Sequence, residues 1–381
     1  MENINFKIEH IDPLGQGVSK KDQIAFIEKT LPGEEGSAVV YRKAKGVVFG
    51  KLISPQNLTI KSPDRIEPEC SHFYECRGCQ YLHTNYKTEI KFKTESLQRM
   101  FDKILPESVK IEIHSAKKRF AYRNRVQVHY NQETDELGLI SSHSEHLINA
   151  SECLLPAATV SNAVSNLYKS SKWKELIESS NNKDGYIEVY LQPGETIPEI
   201  SVNKPYAEGG FTQVNNEMGK VLTDLVTLLY NKYLNKISEP MVMDIFGGNG
   251  NLSKNFKTAR IKIYDRYTST KSINKSNKEF INIDLYKHNP VNKLQQSLGR
   301  ATSSCPDLIV FDPPRAGVKF IESYIEKLDS FYIFYISCDP ATLKRDSLKI
   351  QNKYEILEMH MIDLFPGTRH YETLIVFRRK V

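Results

Sequence analysis

From Met241 to the C-terminus, short apolar runs alternate with longer amphipathic stretches. That alternation restricts this part of the chain to an α/β fold, a doubly wound parallel sheet. Strands are expected near Val242, Ile261, Phe280, Leu308, Phe331 and Leu374. The first runs into Phe246-Gly247-Gly248-Asn249-Gly250-Asn251, a glycine turn leading to a helix. Glycines let backbone approach a ligand closely, and a helix N-terminus offers free N–H groups. Acids close the next two strands, Asp265 and Asp284. An acid about 20 residues beyond such a loop is the usual partner of a ribose diol. A nucleotide-like cofactor is therefore expected above this edge.

The same edge carries reactive groups. Phe331 to Ile336 reads as a buried strand that ends on Ser337-Cys338 and stops at Pro340. A lone cysteine in that position is ordinarily a core thiol. Its company argues otherwise, because ligands and catalytic groups collect at the carboxyl ends of strands. Pro306 to Phe311 runs into Asp312-Pro313-Pro314-Arg315, and Asp363 to Glu372 precedes a final strand at Thr373 to Phe377.

Upstream, residues 1–55 are β-rich with turns at Pro13–Gly17 and Pro32–Gly36, the pattern of a small barrel. A helix is expected from Tyr86 to Leu105. Strands at Arg125–Tyr130 and Tyr186–Leu191 flank an amphipathic helix from Ala157 to Ser179, and another helix spans Asn216 to Leu234. Cys70, Cys76, Cys79 and the distant Cys153 offer four soft thiolates, suited to zinc or to an iron–sulfur cluster. One of the two knuckles usual for structural zinc is missing, and the closely spaced triplet of a radical enzyme is absent too. Spacing alone leaves both readings open. No secretory signal and no membrane-length apolar run is visible, so the six cysteines suggest a reducing, cytosolic setting. A net charge of +6 permits a polyanionic partner without requiring one.

Taken together, the motifs resemble the RNA uracil-C5 (m5U) methyltransferases. Those carrying the resemblance are Phe211-Thr212-Gln213-Val214-Asn215, Asp244 to Asn251, Phe311 to Gly317, Ser337 to Thr342 and Pro366 to Glu372, in the family's order. The resemblance covers essentially the whole chain. It implies a TRAM-like, OB-type RNA-binding barrel over residues 1–55 and a central α+β domain over 56–205. A class I S-adenosylmethionine (SAM) methyltransferase domain would occupy 206–381. It further implies a [4Fe–4S] cluster on Cys70, Cys76, Cys79 and Cys153, and a cofactor pocket of Gln213, Phe246, Asn251, Asp265, Asp284 and Asp312. The sequence departs from the family at Gly247, where many members have Cys or Ser, and at Asp265, where Glu is usual.

C5 of uracil is too weak a nucleophile to take a methyl group unaided, so the resemblance assigns Cys338 to attack C6 and Glu372 to remove the C5 proton. The thiolate needs nearby positive charge or donors. His370 could position Glu372 or lie exposed in its loop. Arginines and aromatics in Arg119-Phe120-Ala121-Tyr122-Arg123-Asn124-Arg125 could grip RNA, whose uridine must leave its stack to be reached. The expected substrate is RNA, large-subunit ribosomal RNA ahead of transfer RNA, met in the cytoplasm by a monomeric enzyme with no membrane partner. An N-methyltransferase is disfavoured by Arg315, which stands where an aromatic would hold an amino group, and by a cysteine such chemistry does not need. A noncatalytic RNA-binding protein is disfavoured by intact Cys338 and Glu372.

Overall fold

The computed structural model describes residues 2–144, 146–178, 182–192, 194–204, 213–266, 277–287, 290–298 and 305–380. Five N-terminal strands close into a barrel. They are β1 (Asn3–Ile11), β2 (Gln16–Ser19), β3 (Ile24–Glu28), β4 (Glu35–Ala44) and β5 (Val47–Lys51). Their order is β1-β2-β3-β5-β4, and β4 pairs back onto β1, while β6 (Leu58–Ile60) extends the sheet beyond β4. Closure removes the free edges that a small sheet would otherwise expose. Phe6, Ile8, Ala25, Ile27, Ala38 and Val48 fill the interior.

After the cysteine-bearing segment comes α1 (Tyr86–Phe101), capped by Asn85, whose side chain accepts the Thr88 N–H at 2.9 Å. Next follow β7 (Ile111–His114), β8 (Arg125–Asn131), β9 (Glu136–Ile140) and β10 (Leu147–Ile148). The helix expected from Ala157 breaks into α2 (Ala158–Tyr168) and α3 (Lys172–Ile177), because Ser171 adopts a left-handed φ of 52° between them. Its expected end, Ser179, lies outside the described residues. With β11 (Asp184–Tyr190) and β12 (Glu199–Val202), the middle strands form a sheet ordered β10-β9-β8-β11-β12. Asn215 then caps α4 (Asn216–Leu234), whose apolar face buries Met218, Leu222, Leu225, Val226 and Leu229.

The C-terminal strands are β13 (Met241–Ile245), β14 (Arg260–Asp265), β15 (Lys278–Asn282), β16 (Leu308–Phe311), β17 (Tyr332–Ser337), β18 (Tyr354–Ile362) and β19 (Glu372–Arg379). Helices α5 (Val291–Ser297), α6 (Ile321–Leu328) and α7 (Pro340–Ile350) lie between them. The sheet runs β15-β14-β13-β16-β17-β19-β18-β7. Its order reverses between β13 and β16, which opens a crevice at their carboxyl ends. Two features correct the expectation of a purely parallel sheet. β19 inserts antiparallel between β17 and β18, and the last strand, β7, comes from ahead of the middle sheet. β18 escapes periodicity reading because Glu355, Glu358 and His360 interrupt it and a bulge falls between Ile356 and Glu358.

One buried ionic group joins these parts. The Lys93 ammonium on α1 donates to Glu89 at 2.7 Å and to Asp363 at 2.8 Å, and all three side chains are essentially inaccessible. Burial pulls the Lys93 pKa down, but Asp363 and Glu89 outweigh it and leave it raised, so the cation persists. Arg119 completes the group through Glu89 at 3.0 Å. Removing one partner leaves uncompensated buried charge. Lys93→Met should therefore cost about 3–5 kcal/mol of unfolding free energy in urea titration, and an unchanged midpoint would show the group to be dispensable.

Candidate active site

Every group at the sheet's carboxyl edge is placed by a local stop in its strand. β13 ends at Phe246, whose φ of 65° is rare for a side chain of that size. Hydrogen bonding of its N–H to the Tyr264 carbonyl at 2.9 Å pins this turn, and the ring packs 5.5 Å from that of Tyr286. Gly248 follows with φ 53°, and its N–H donates to the Asp265 carboxylate at 3.0 Å. The helix expected after the glycine loop does not form. Residues 248–255 make successive turns instead, tied back by Ser253 Oγ, which donates to Asp244 at 2.6 Å. The departure at Gly247 has a local reason: a Cβ there would meet the Asp244 Cγ at 2.6 Å.

Asp312 ends β16, and the Pro313-Pro314 turn after it is clamped by α7. Arg345 donates to the Ala316 carbonyl at 2.9 Å, and Asp346 accepts the Val318 N–H at 2.9 Å and the Tyr335 hydroxyl at 2.6 Å. Cys338 sits in the elbow between β17 and α7. There Ser337 Oγ accepts the Asp339 N–H at 3.1 Å, Asp339 caps the helix through the Thr342 N–H at 2.8 Å, and Pro340 occupies its first turn. Glu372 is the first residue of β19 and is buried, not a solvated loop carboxylate.

The loop leading to Glu372 is held from outside the catalytic sheet. The Gly367 N–H donates to Glu89 at 2.7 Å, the Gly367 carbonyl accepts the Gln80 and Tyr81 N–H groups at 2.9 and 3.1 Å, and the Arg369 N–H donates to the Gln80 side chain at 2.9 Å. Gly367 has φ 79°, which glycine adopts without strain. Tyr122 donates to the Pro366 carbonyl at 3.0 Å.

Two cavities meet here. One, of about 650 Å³, is lined by Gln213, Phe246, Asn251, Asp265, Asp284 and Asp312. The other, of about 880 Å³, extends to the barrel at Gln16 and Lys29 and is lined with Arg77, Arg123, Arg315 and Arg369. Gln213, Pro314, Cys338 and Glu372 line both. All six expected cofactor residues thus share a cavity with both expected catalytic residues. Phe211 and Thr212, from the motif containing Gln213, lie outside the described residues.

At this junction several acids are buried close together, with Arg315 beside Glu372 and Cys338. Burial raises Asp312 to about 7, and Asp244 and Asp265 add to it. Burial likewise holds Glu372 well above the ordinary carboxylate range, with Asp312 adding and Arg315 opposing. The Cys338 thiol is pushed up to about 11 by burial and Glu372, against the pull of Arg315. A cation entering this junction would relieve all three. His370 is brought down to about 3 by burial and the surrounding cations, so it is neutral, and its ring packs edge-on to Phe365.

The segment expected to grip RNA is largely spent on structure. Arg119 is committed to Glu89 and the Tyr81 carbonyl, Tyr122 to Pro366, and Arg125 faces Glu188 at 3.5 Å. Arg123 of this segment does line the larger cavity, together with Arg315, Arg369 and Arg77. The last two sit singly in loops, where no sequence pattern marks them, and the signal for Arg315 is the neighbouring Pro-Pro turn.

Cys70, Cys76, Cys79 and Cys153 line a third cavity, of about 210 Å³, with Phe73, Leu82, Leu139 and Leu155. Burial raises Cys79 to about 12; Cys76 and Cys153 add to the shift, while Arg123 and Lys29 counter it. Four thiols whose ionised forms would repel one another fit a cationic metal centre. Among the described residues, the group of three metal-type ligands with all atoms within 4.8 Å of one another is Glu112, His114 and His360, not the cysteines. Lys29 of the barrel reaches this loop, donating to the carbonyls of Cys76 and Cys79.

Comparison with known proteins agrees with this arrangement. Residues 287–380 match the model of the family described as tRNA (Uracil-5-)-methyltransferase. At 26% identity, the chain is similar over 98% of its length to a Vibrio campbellii protein named 23S rRNA (uracil(1939)-C(5))-methyltransferase RlmD, 95% of which is covered. A like-named Haemophilus parainfluenzae protein is also 26% identical, with 99% of this chain and 96% of that one covered. The fold is that of the Pyrococcus abyssi tRNA (uracil-54, C5)-methyltransferase solved with S-adenosyl-L-homocysteine, at TM-score 0.69, 17% identity, and coverage of 98% and 100%. No helix among the described residues is long and apolar enough to cross a membrane. The family match over 287–380 spans both Cys338 and Glu372, and along nearly its whole length the chain is similar to enzymes named as RNA uracil-C5 methyltransferases.

Proposed function

We propose that the protein is a SAM-dependent methyltransferase that forms 5-methyluridine in RNA, with large-subunit ribosomal RNA as its target. The observation that carries this reading is the junction of the two cavities at Cys338 and Glu372. A uridine reaching in from the arginine-lined side would meet a nucleophile and a base on the wall facing the other cavity. SAM would supply an electrophilic methyl group, held by Asp265 and Asp284 at the ribose, Phe246 and Asn251 along the loop, and Gln213 and Asp312 near the reacting end. The Cys338 thiolate would bond to uracil C6, making C5 nucleophilic; C5 would take the methyl group as its bond to the sulfonium sulfur breaks, leaving S-adenosylhomocysteine. Glu372 then accepts the C5 proton, and the C6–S bond breaks to release the thiolate. A carboxylate with a raised pKa is a stronger base for that step, and Arg315 is placed to favour the thiolate.

The ribosomal target rests on the names of the full-length relatives, and transfer RNA is the alternative that the solved fold's title keeps open. In this reading residues 1–55 contact RNA, residues 56–205 brace the catalytic loop, and residues 206–381 carry the chemistry. A [4Fe–4S] cluster is assigned to Cys70, Cys76, Cys79 and Cys153, which line one cavity and lack the second knuckle usual for structural zinc. The assigned enzyme acts in the cytoplasm as a monomer.

Incubation with methyl-labelled SAM and separate unmodified rRNA and tRNA tests the reading. Label should appear as 5-methyluridine in rRNA and fall on the order of 10⁴-fold or more in Cys338→Ala. Glu372→Gln should methylate but fail to release, leaving a protein–RNA adduct that survives denaturant and disappears when Cys338→Ala is added. No label in either RNA would overturn the proposal. A second measurement uses the charge on the cofactor. Asp312 loses its proton near pH 7 and Asp244 near pH 6 in the free protein. Affinity for the sulfonium relative to neutral S-adenosylhomocysteine should therefore rise, by up to roughly tenfold, as pH increases through that window. A flat ratio would remove these acids from cofactor recognition. Anaerobically purified protein should contain iron and sulfide in equal amounts, and Cys153→Ser should lose both.

A further inference from the structure

Glu112 and His114 lie two residues apart on β7 and so project from one face of the sheet, and His360 stands opposite them on β18, where its register partner is Glu112. His114 Nε2 and His360 Nδ1 are 3.2 Å apart, and His360 Nδ1 lies 3.4 Å from the Glu112 carboxylate. Two imidazoles and a carboxylate around a tetrahedral zinc, with bonds near 2.0–2.1 Å, would be separated by roughly 3.3 Å. On the other side of the ring, Nε2 is buried and makes no hydrogen bond but faces Glu358 at 3.5 Å, and Glu358 is itself fixed by Lys232 at 2.9 Å and by the Tyr233 hydroxyl. That carboxylate favours the tautomer with the proton on Nε2, which leaves the Nδ1 lone pair turned toward Glu112 and His114. A carboxylate behind a histidine is the arrangement that orients ligands in zinc sites.

We infer that Glu112, His114 and His360 form a binding site for a zinc-class divalent ion at the outer edge of the catalytic sheet. Imidazole and carboxylate together suit zinc, and the set lacks the all-oxygen character that calcium or magnesium prefers. Glu112 is exposed and His360 buried, so the ion would sit at the surface with its fourth position open to water. The site has a structural consequence. β7 pairs with β18 over only four residues, and the His114 carbonyl accepts the N–H of Asp363, one of the two carboxylates around Lys93. An ion here would clip the edge strand beside the group that anchors the catalytic loop.

Cobalt(II) titration of the purified full chain, followed by zinc displacement, tests the site. Cobalt on nitrogen and oxygen gives weak visible bands, whereas cobalt on thiolates gives intense near-ultraviolet charge transfer, so the cysteine site is read separately. One equivalent of the nitrogen–oxygen type is expected in wild type and in Cys153→Ser. Its affinity should be at least tenfold weaker in Glu112→Gln, an exposed position that leaves the fold intact, and it should be absent in His114→Ala. Zinc should raise the unfolding temperature of wild type and not that of His114→Ala. Absence of the weak bands, or equal binding in both variants, would mean that the histidines only hydrogen-bond to each other and would overturn the site.

Discussion

The Lys93 ammonium, enclosed between Glu89 and Asp363, is the contact on which the catalytic edge depends. The three groups come from two distant stretches of chain: Lys93 and Glu89 from α1, and Asp363 from the turn between β18 and β19. Two charges of one sign around one of the other cannot be rearranged cheaply inside protein, because any partner left behind is desolvated and unpaired. Glu89 also accepts the Gly367 N–H and the Arg119 guanidinium. The position of the Pro366–Glu372 loop is thereby set by a helix outside the catalytic sheet.

This explains why a methyltransferase sheet carries so much chain ahead of it. Gln80 and Tyr81, directly after Cys79, bond the same loop from the other side, and Lys29 joins the barrel to the carbonyls of Cys76 and Cys79. A metal centre on the four thiols would order this segment, and with it the loop carrying Glu372. Such a centre has a structural use without electron transfer. The barrel, meanwhile, supplies one wall of the larger cavity, so the proposed RNA path and the loop before Glu372 would share supports.

At the junction itself, burial raises Asp312, Glu372 and Cys338 together. In the free protein this keeps the thiol protonated and unreactive. A sulfonium in the adjoining cavity would lower all three, and so would make the proposed nucleophile and base competent when the cofactor is present. The left-handed Phe246 turn and the Pro313-Pro314 turn both line that pocket.

Much of this was legible in the chain itself. Strand ends beside Gly247, Asp312 and Cys338 follow from apolar runs that stop at glycine or proline, a local signal with local causes. α4, from Asn216 to Leu234, follows equally from its cap and its apolar face. What stayed hidden is non-local or has no period. The pairing of β7 with β18 joins residues far apart in sequence, and the bulged β18 mixes charged and apolar positions. The glycine loop predicted a helix that Ser253 turns back toward Asp244. The arginines of 119–125 looked like an RNA grip until tertiary contacts paired Arg119 with Glu89. Residue types and strand stops thus determined what chemistry the chain could carry. Only the folded arrangement decided which charges are buried as braces and which face the cavities, because burial and pairing depend on neighbours that sequence spacing does not bring together.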